Sequence, residues 1–132
     1  MDHETALINA FVLPAKRERA LDQLANHKRR RKFLESLYHY RDLDPRYRID
    51  IAPADQQAET IFSLLTKRGA SAQCHLISSD RNLDGFDIAL SDALAKVVGL
   101  GEGTLVSCIP GRLGYFEGES PGDRFILERT AP

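Results

Sequence analysis

Residues 73–99, QCHLISSDRNLDGFDIALSDALAKVVG, constrain the fold more than any other part of the 132-residue chain. An apolar run of strand length, residues 73–78, leads into a polar loop at residues 80–85. Residues 86–98 then show helical periodicity, with Leu90, Ala93, Leu94 and Val97 on one side and Gly99 placed to stop the helix. Apolar segments flank this unit in sequence. Before it, residues 53–68 predict a helix with Ala58, Ile61, Phe62 and Leu65 inward, closing on Lys67, Arg68 and Gly69. After it, residues 104–109 are rich in β-branched side chains, as strands are. With a short strand at residues 47–51, the order strand–helix–strand–helix–strand predicts a pair of βαβ units with parallel pairing.

The C-terminal third reads as a meander. Pro110-Gly111 and residues 120–123 supply turns between strands at 104–109, 113–117 and 124–129. The expected fold class is therefore α/β, with α+β as the alternative. It is one domain over residues 1–132, built on a mixed sheet of about five strands from βαβαβ plus an antiparallel meander. Residues 1–45 form a helical N-terminal region and residues 46–132 the βαβαβββ body. Within the first region, Ile8, Phe11 and Val12 predict a helix over residues 4–13. Pro14 then opens a long basic helix from residue 15 to about 40, and Asp44-Pro45 ends the helical region.

Charge is ordinary in sum and uneven in distribution. The net value is −1 and the pI about 6.4, so the whole chain exerts no pull toward nucleic acid or an anionic membrane. Residues 16–48, however, hold 11 Lys/Arg against 5 Asp/Glu, and residues 49–132 hold 7 against 12. Such asymmetry implies an anionic partner for the basic end, or pairing of the two halves within one chain or across a dimer. The two cysteines, Cys74 and Cys108, sit in apolar strand-like runs, which suits reduced thiols in a cytoplasmic protein better than a disulfide framework. No apolar run approaches the ~20 residues of a membrane span, so no membrane partner is expected.

Three places carry chemistry. The first is the run Lys28, Arg29, Arg30, Arg31, Lys32. Five consecutive helical residues turn through about 400°, so no face of this segment is wholly apolar. With Tyr38 and Tyr40 nearby, such a run suits contact with phosphates, RNA more than duplex DNA. The plain alternative is a solvated helix face or an interface with an acidic surface, including a homodimer.

The second place is the loop Asp80-x-Asn82-x-Asp84-Gly85, which resembles the first half of an EF-hand calcium loop. The twelfth position is Ser91 instead of glutamate, Asp87 stands where an apolar residue belongs, and a strand precedes the loop. A divalent cation at Asp80, Asn82 and Asp84 is the sharp reading; turn chemistry, with Asp84 or Asp87 capping the next helix, is the favoured one. In open α/β sheets ligands bind beyond the carboxyl ends of the strands, which makes this loop a candidate ligand site.

The third place is Glu117 and Glu119, two carboxylates on one side of a strand, with Arg112 and Arg124 on neighbouring strands. They suit acid–base work beside the Asp80–Asp87 loop, or, more simply, cross-strand ion pairs on a solvent face. Cys108-Ile-Pro-Gly-Arg112 has the wrong spacing for a phosphatase loop and no helix after it. Glu35 and His39 form a helical pair, His3 lies near a chain end, and His75 is expected to be a satisfied core histidine. With no catalytic motif spelled out, the residues point to a binding or regulatory domain, with a homodimeric interaction module or a small enzyme as alternatives.

Overall fold

A computed structural model describes residues 2–130. The strands are β1 (Arg48–Asp50), β2 (Gln73–Ser78), β3 (Asp87–Ala89), β4 (Thr104–Ile109), β5 (Leu113–Glu117) and β6 (Arg124–Glu128). They form one six-stranded open sheet in the order β1-β6-β5-β4-β2-β3, and every neighbouring pair is antiparallel. The helices are α1 (His3–Phe11), α2 (Arg17–Ala25), α3 (His27–Ser36), α4 (Ala58–Lys67) and α5 (Leu90–Val97). Among the described residues no helix is long and apolar enough to cross a membrane.

Alternation along the strands feeds two separate cores. Ile77, Leu105, Phe116, Phe125 and Leu127 face one way and pack with α1, α2 and α3. Leu76, Val106, Tyr115 and Ile126 face the other way and pack with Ile61 and Leu65 of α4 and with Leu90, Ala93, Leu94 and Val97 of α5. The sheet is thus a central layer covered on both faces, which is why β4, β5 and most of β2 read as continuous apolar runs.

Parallel pairing, the basis of the βαβαβ expectation, is overturned. β2 runs antiparallel to both β3 and β4, so β3 and β4 point the same way with β2 between them. Helix α5 joins those two codirectional strands, and α4 likewise joins β1 to the codirectional β2 across the meander. The crossover helices were legible in the sequence; the intervening strands that make every neighbouring pair antiparallel were not.

Two elements also differ from expectation. Residues 86–89 do not begin a helix: Asp87, Ile88 and Ala89 pair with His75, Cys74 and Gln73 as β3, and α5 starts only at Leu90. The basic helix is not continuous either. Asn26 adopts extended backbone (φ −104°, ψ 115°), and its side-chain oxygen accepts from the Lys28 and Arg29 amides at 2.9 and 3.2 Å, ending α2 and capping α3. The helices over residues 4–13 and 53–68 correspond to α1 and to a 3-10 turn plus α4, and Gly69 (φ 102°) follows α4 as the left-handed stop.

Candidate functional site

The start of α3 holds the chain's densest chemistry. Phe33 and Leu34 anchor the helix in the first core. Arg30 is turned toward the sheet, where its Nε and Nη2 donate to Asp84 at 2.9 and 3.0 Å and its Nη1 and Nη2 donate to Glu4 at 2.7 and 2.8 Å. Glu4 Oε2 also lies 2.7 Å from His75 Nε2, and His75 Nδ1 lies 2.7 Å from Asp87 Oδ1. A chain of five ionisable groups, Asp84–Arg30–Glu4–His75–Asp87, therefore ties α1 and α3 to the β2–β3 hairpin. His3 stacks on His75 with ring centroids 5.6 Å apart, and its Nδ1 is 2.7 Å from Ser107 Oγ.

Proton affinities follow from these contacts. Burial alone would raise the Glu4 carboxyl, but the hydrogen bonds from Arg30 and His75 outweigh it and hold the group at about 2. The hydrogen bond to Glu4 raises His75, with a further contribution from Asp87. Burial lowers His3, and the charge of His75 lowers it further. His75 is the satisfied histidine the sequence implied. His3 is not idle at a chain end, and His39 meets Glu119 at 2.8 Å instead of its helical neighbour Glu35.

This network settles which members of the basic run are free. Arg30 is saturated by carboxylates. Arg31 Nη2 donates to the Ser79 carbonyl at 2.9 Å, and Arg29 pairs with Asp22 at 3.0 Å on the surface. Lys28 and Lys32 are exposed and form no ion pair among the described residues.

A cleft flanks α3 on each side. One, of about 230 Å³, is lined by Lys16 and Arg19 before and within α2, by Lys32, and by Phe33, Tyr40 and Asp42. The other, of about 390 Å³, is lined by His27, Arg30, Arg31, Leu34, Arg81 and Asp84. Lys16, Arg19 and Lys32 against Asp42 make the first cleft electropositive, and in the second Arg31 and Arg81 supply the positive charge, since Arg30 is offset by Asp84 and Glu4. The sequence reading omitted Lys16, Arg19 and Arg81. The first two carry a signal in hindsight, an i, i+3 pair at the start of α2; Arg81 carries none.

The carboxylates of the loop and of Asp87 are engaged within the chain. Asp84 is bidentate to Arg30 and also accepts from the Ser78 amide at 3.0 Å. Asp80 accepts from the Asn82 amide at 2.9 Å in a local turn, and Asp87 is engaged by His75. Neither Asp84 nor Asp87 caps the next helix, since α5 has no side-chain cap. Among the described residues no group of three or more His, Cys, Asp or Glu is placed to hold a metal ion. The loop is the connection of a β2–β3 hairpin at the sheet edge, so the strand-end rule for parallel sheets does not apply to it.

Glu117 is not on a solvent face. It is fully buried, accepting from the Gly99 and Gly101 amides at 3.2 and 2.8 Å and from Tyr115 Oη at 2.7 Å, with Arg124 Nε 3.6 Å away. Glu119 is exposed beside His39. Arg112 lies in the β4–β5 turn, at the opposite end of the sheet from the 80–85 loop, and joins neither. Cys74 and Cys108 are buried free thiols, both pushed up to about 12 by burial. No protein-family model matches the chain, and neither a curated protein nor a solved structure matches it.

Proposed function

We propose that the protein is a binding domain for a polyanion, single-stranded RNA in the first instance, which lies across α3 with phosphates in the clefts on either side. The observation that carries this reading is the pair of electropositive clefts flanking one helix, with the unpaired Lys28 and Lys32 on the ridge between them. An α-helix with its side chains is about 10–12 Å across. A partner filling both clefts is therefore longer than one phosphate, which favours a polymer over a small anion. The net charge of −1 means that the attraction is local to this face.

The opposed charges of the two halves give no comparable support to a homodimer, because several of them meet within the chain. Arg30 pairs with Asp84, His39 with Glu119, and Arg41 lies 3.6 Å from Asp123. The test is fluorescence anisotropy with a labelled 20-nucleotide RNA of mixed sequence at low salt. Wild type is expected to bind, and Lys28→Glu with Lys32→Glu to bind at least about tenfold more weakly with an unchanged melting temperature. Equal binding by wild type and the double variant would remove α3 from the account.

A further inference from the structure

A third cleft, sharing no lining residue with those beside α3, lies where α1 meets the β4–β5 turn. Its volume is about 380 Å³, and Thr5, Ala6, Asn9, Ala10, Pro110, Gly111, Arg112 and Arg129 line it. The floor is made of small residues, and the turn conformation favours glycine at position 111. Gly111 takes φ +71° in the turn, and a Cβ built there would touch the Ala6 carbonyl at 3.6 Å and the Ala6 and Ala10 methyls at 3.7 and 4.0 Å. Ala6 and Ala10 on the helix and Pro110 and Gly111 in the turn line an open, mostly apolar trough.

Two guanidinium groups border the trough. Arg129 is held in place, with its Nη1 donating to the Ala10 carbonyl at 3.1 Å and its guanidinium carbon 4.6 Å from the centroid of the Tyr47 ring. Its other side-chain N–H groups meet no protein acceptor among the described residues. Arg112 is exposed and makes neither an ion pair nor a side-chain hydrogen bond among the described residues. Among the described residues no carboxylate lines the cleft. An apolar trough with a few convergent polar groups is the usual form of a small-molecule site, and a guanidinium fork matches a planar carboxylate in geometry and charge.

The geometry points to a binding site for a small organic carboxylate with an apolar body, its carboxylate between Arg112 and Arg129 and its body along Ala6, Ala10 and Pro110. A phosphate monoester suits this trough less well, because its greater charge is costlier to strip of water against an apolar floor.

The probes are octanoate, its neutral counterpart octanamide, and inorganic phosphate. Each is titrated into the full-length protein while the amide resonances of Thr5, Ala6, Ala10 and Gly111 are followed by NMR. Octanoate is expected to shift these resonances saturably at millimolar concentration or below, octanamide at least about tenfold more weakly, and phosphate not at all. Arg112→Ala removes an exposed side chain with no partner and is expected to weaken octanoate at least about fivefold. Asn9→Trp fills the trough from an exposed helical position and is expected to abolish the shifts. Equal affinity for octanoate and octanamide, an unchanged response in Arg112→Ala, saturable binding of phosphate alone, or no saturable shift at 10 mM would each overturn the assignment. RNA binding by α3 is read separately and does not bear on the result.

Discussion

Both ring nitrogens of His75 hold carboxylates, Glu4 on α1 and Asp87 on β3, so one side chain joins a helix to an edge strand. Its proton affinity is raised above the ordinary 6.5, whereas that of the stacked His3 is lowered. The two act on stability with opposite signs. The His75 contribution is fully present below 6.5 and is lost as pH rises through its folded value; protonation of His3 destabilises the fold as pH drops below 6.5. Melting temperatures of His75→Gln and His3→Gln from pH 5 to 8, below the range in which the buried thiols contribute, separate them. His75→Gln is expected to abolish the fall in stability between pH 6.5 and 8, and His3→Gln to flatten the loss below pH 6.5. A wild-type alkaline fall that persists in His75→Gln would exclude the bridge as its source.

Glu117 is the other residue whose surroundings decide its role. It satisfies two backbone amides in the loop after α5 and the Tyr115 hydroxyl, beside Arg124. Glu117→Ala leaves these groups buried without their acceptor, so denaturant unfolding is expected to show a loss of about 3–5 kcal/mol; a loss under ~1 kcal/mol would contradict this reading. Sequence spacing put Glu117 and Glu119 together on one side of a strand, but β5 ends at Glu117, which is buried on the side of the second core, and Glu119 lies exposed beyond it. That was illegible because the loop after α5, whose Gly99 and Gly101 amides hold Glu117, lies 16–18 residues earlier in the chain.

At the scale of elements, the hydrophobic spacing of α1, α4 and the meander was sufficient to find them, and β2, β4 and β5 occupy the residues their composition suggested. The misses have local causes. Helix and strand patterns overlap over the three residues of β3, where pairing with β2 outweighs helical periodicity. Asn26 is a cap inside a run otherwise compatible with one helix, and its neighbours gave no other stop signal. Asn26→Ala is expected to cost about 1 kcal/mol, while Asn26→Asp, which keeps the acceptor, is expected to cost little. Chemical denaturation of the two variants checks this, and equal losses would show that the side-chain acceptor is not what separates α2 from α3.

At the scale of the whole molecule, a sheet packed with helices followed from the sequence, while the covering of both faces and the strand order did not. Each crossover helix joins strands that point the same way, as a βαβ reading requires, yet β2 stands between β3 and β4, and the meander stands between β1 and β2. Nothing in the local composition of β2 marks it as the strand inserted between its successors. The same long-range pairing redistributes the basic run: Arg30 is consumed by Glu4 and Asp84, which are 26 and 54 residues away in sequence. What remains on the surface is a narrower electropositive ridge, Lys28 and Lys32 between two clefts that also draw on Lys16, Arg19, Arg31 and Arg81.

The most direct test of the proposal that this ridge binds RNA is the salt dependence of any such binding by the unmodified protein. Each phosphate neutralised on a single strand contributes roughly −0.7 to the slope of log affinity against log salt. Contact by Lys16, Arg19, Lys28, Lys32 and Arg81 therefore predicts a straight line with a slope of roughly −3 to −4. No binding at low salt, or binding whose affinity is flat with salt, would contradict the account.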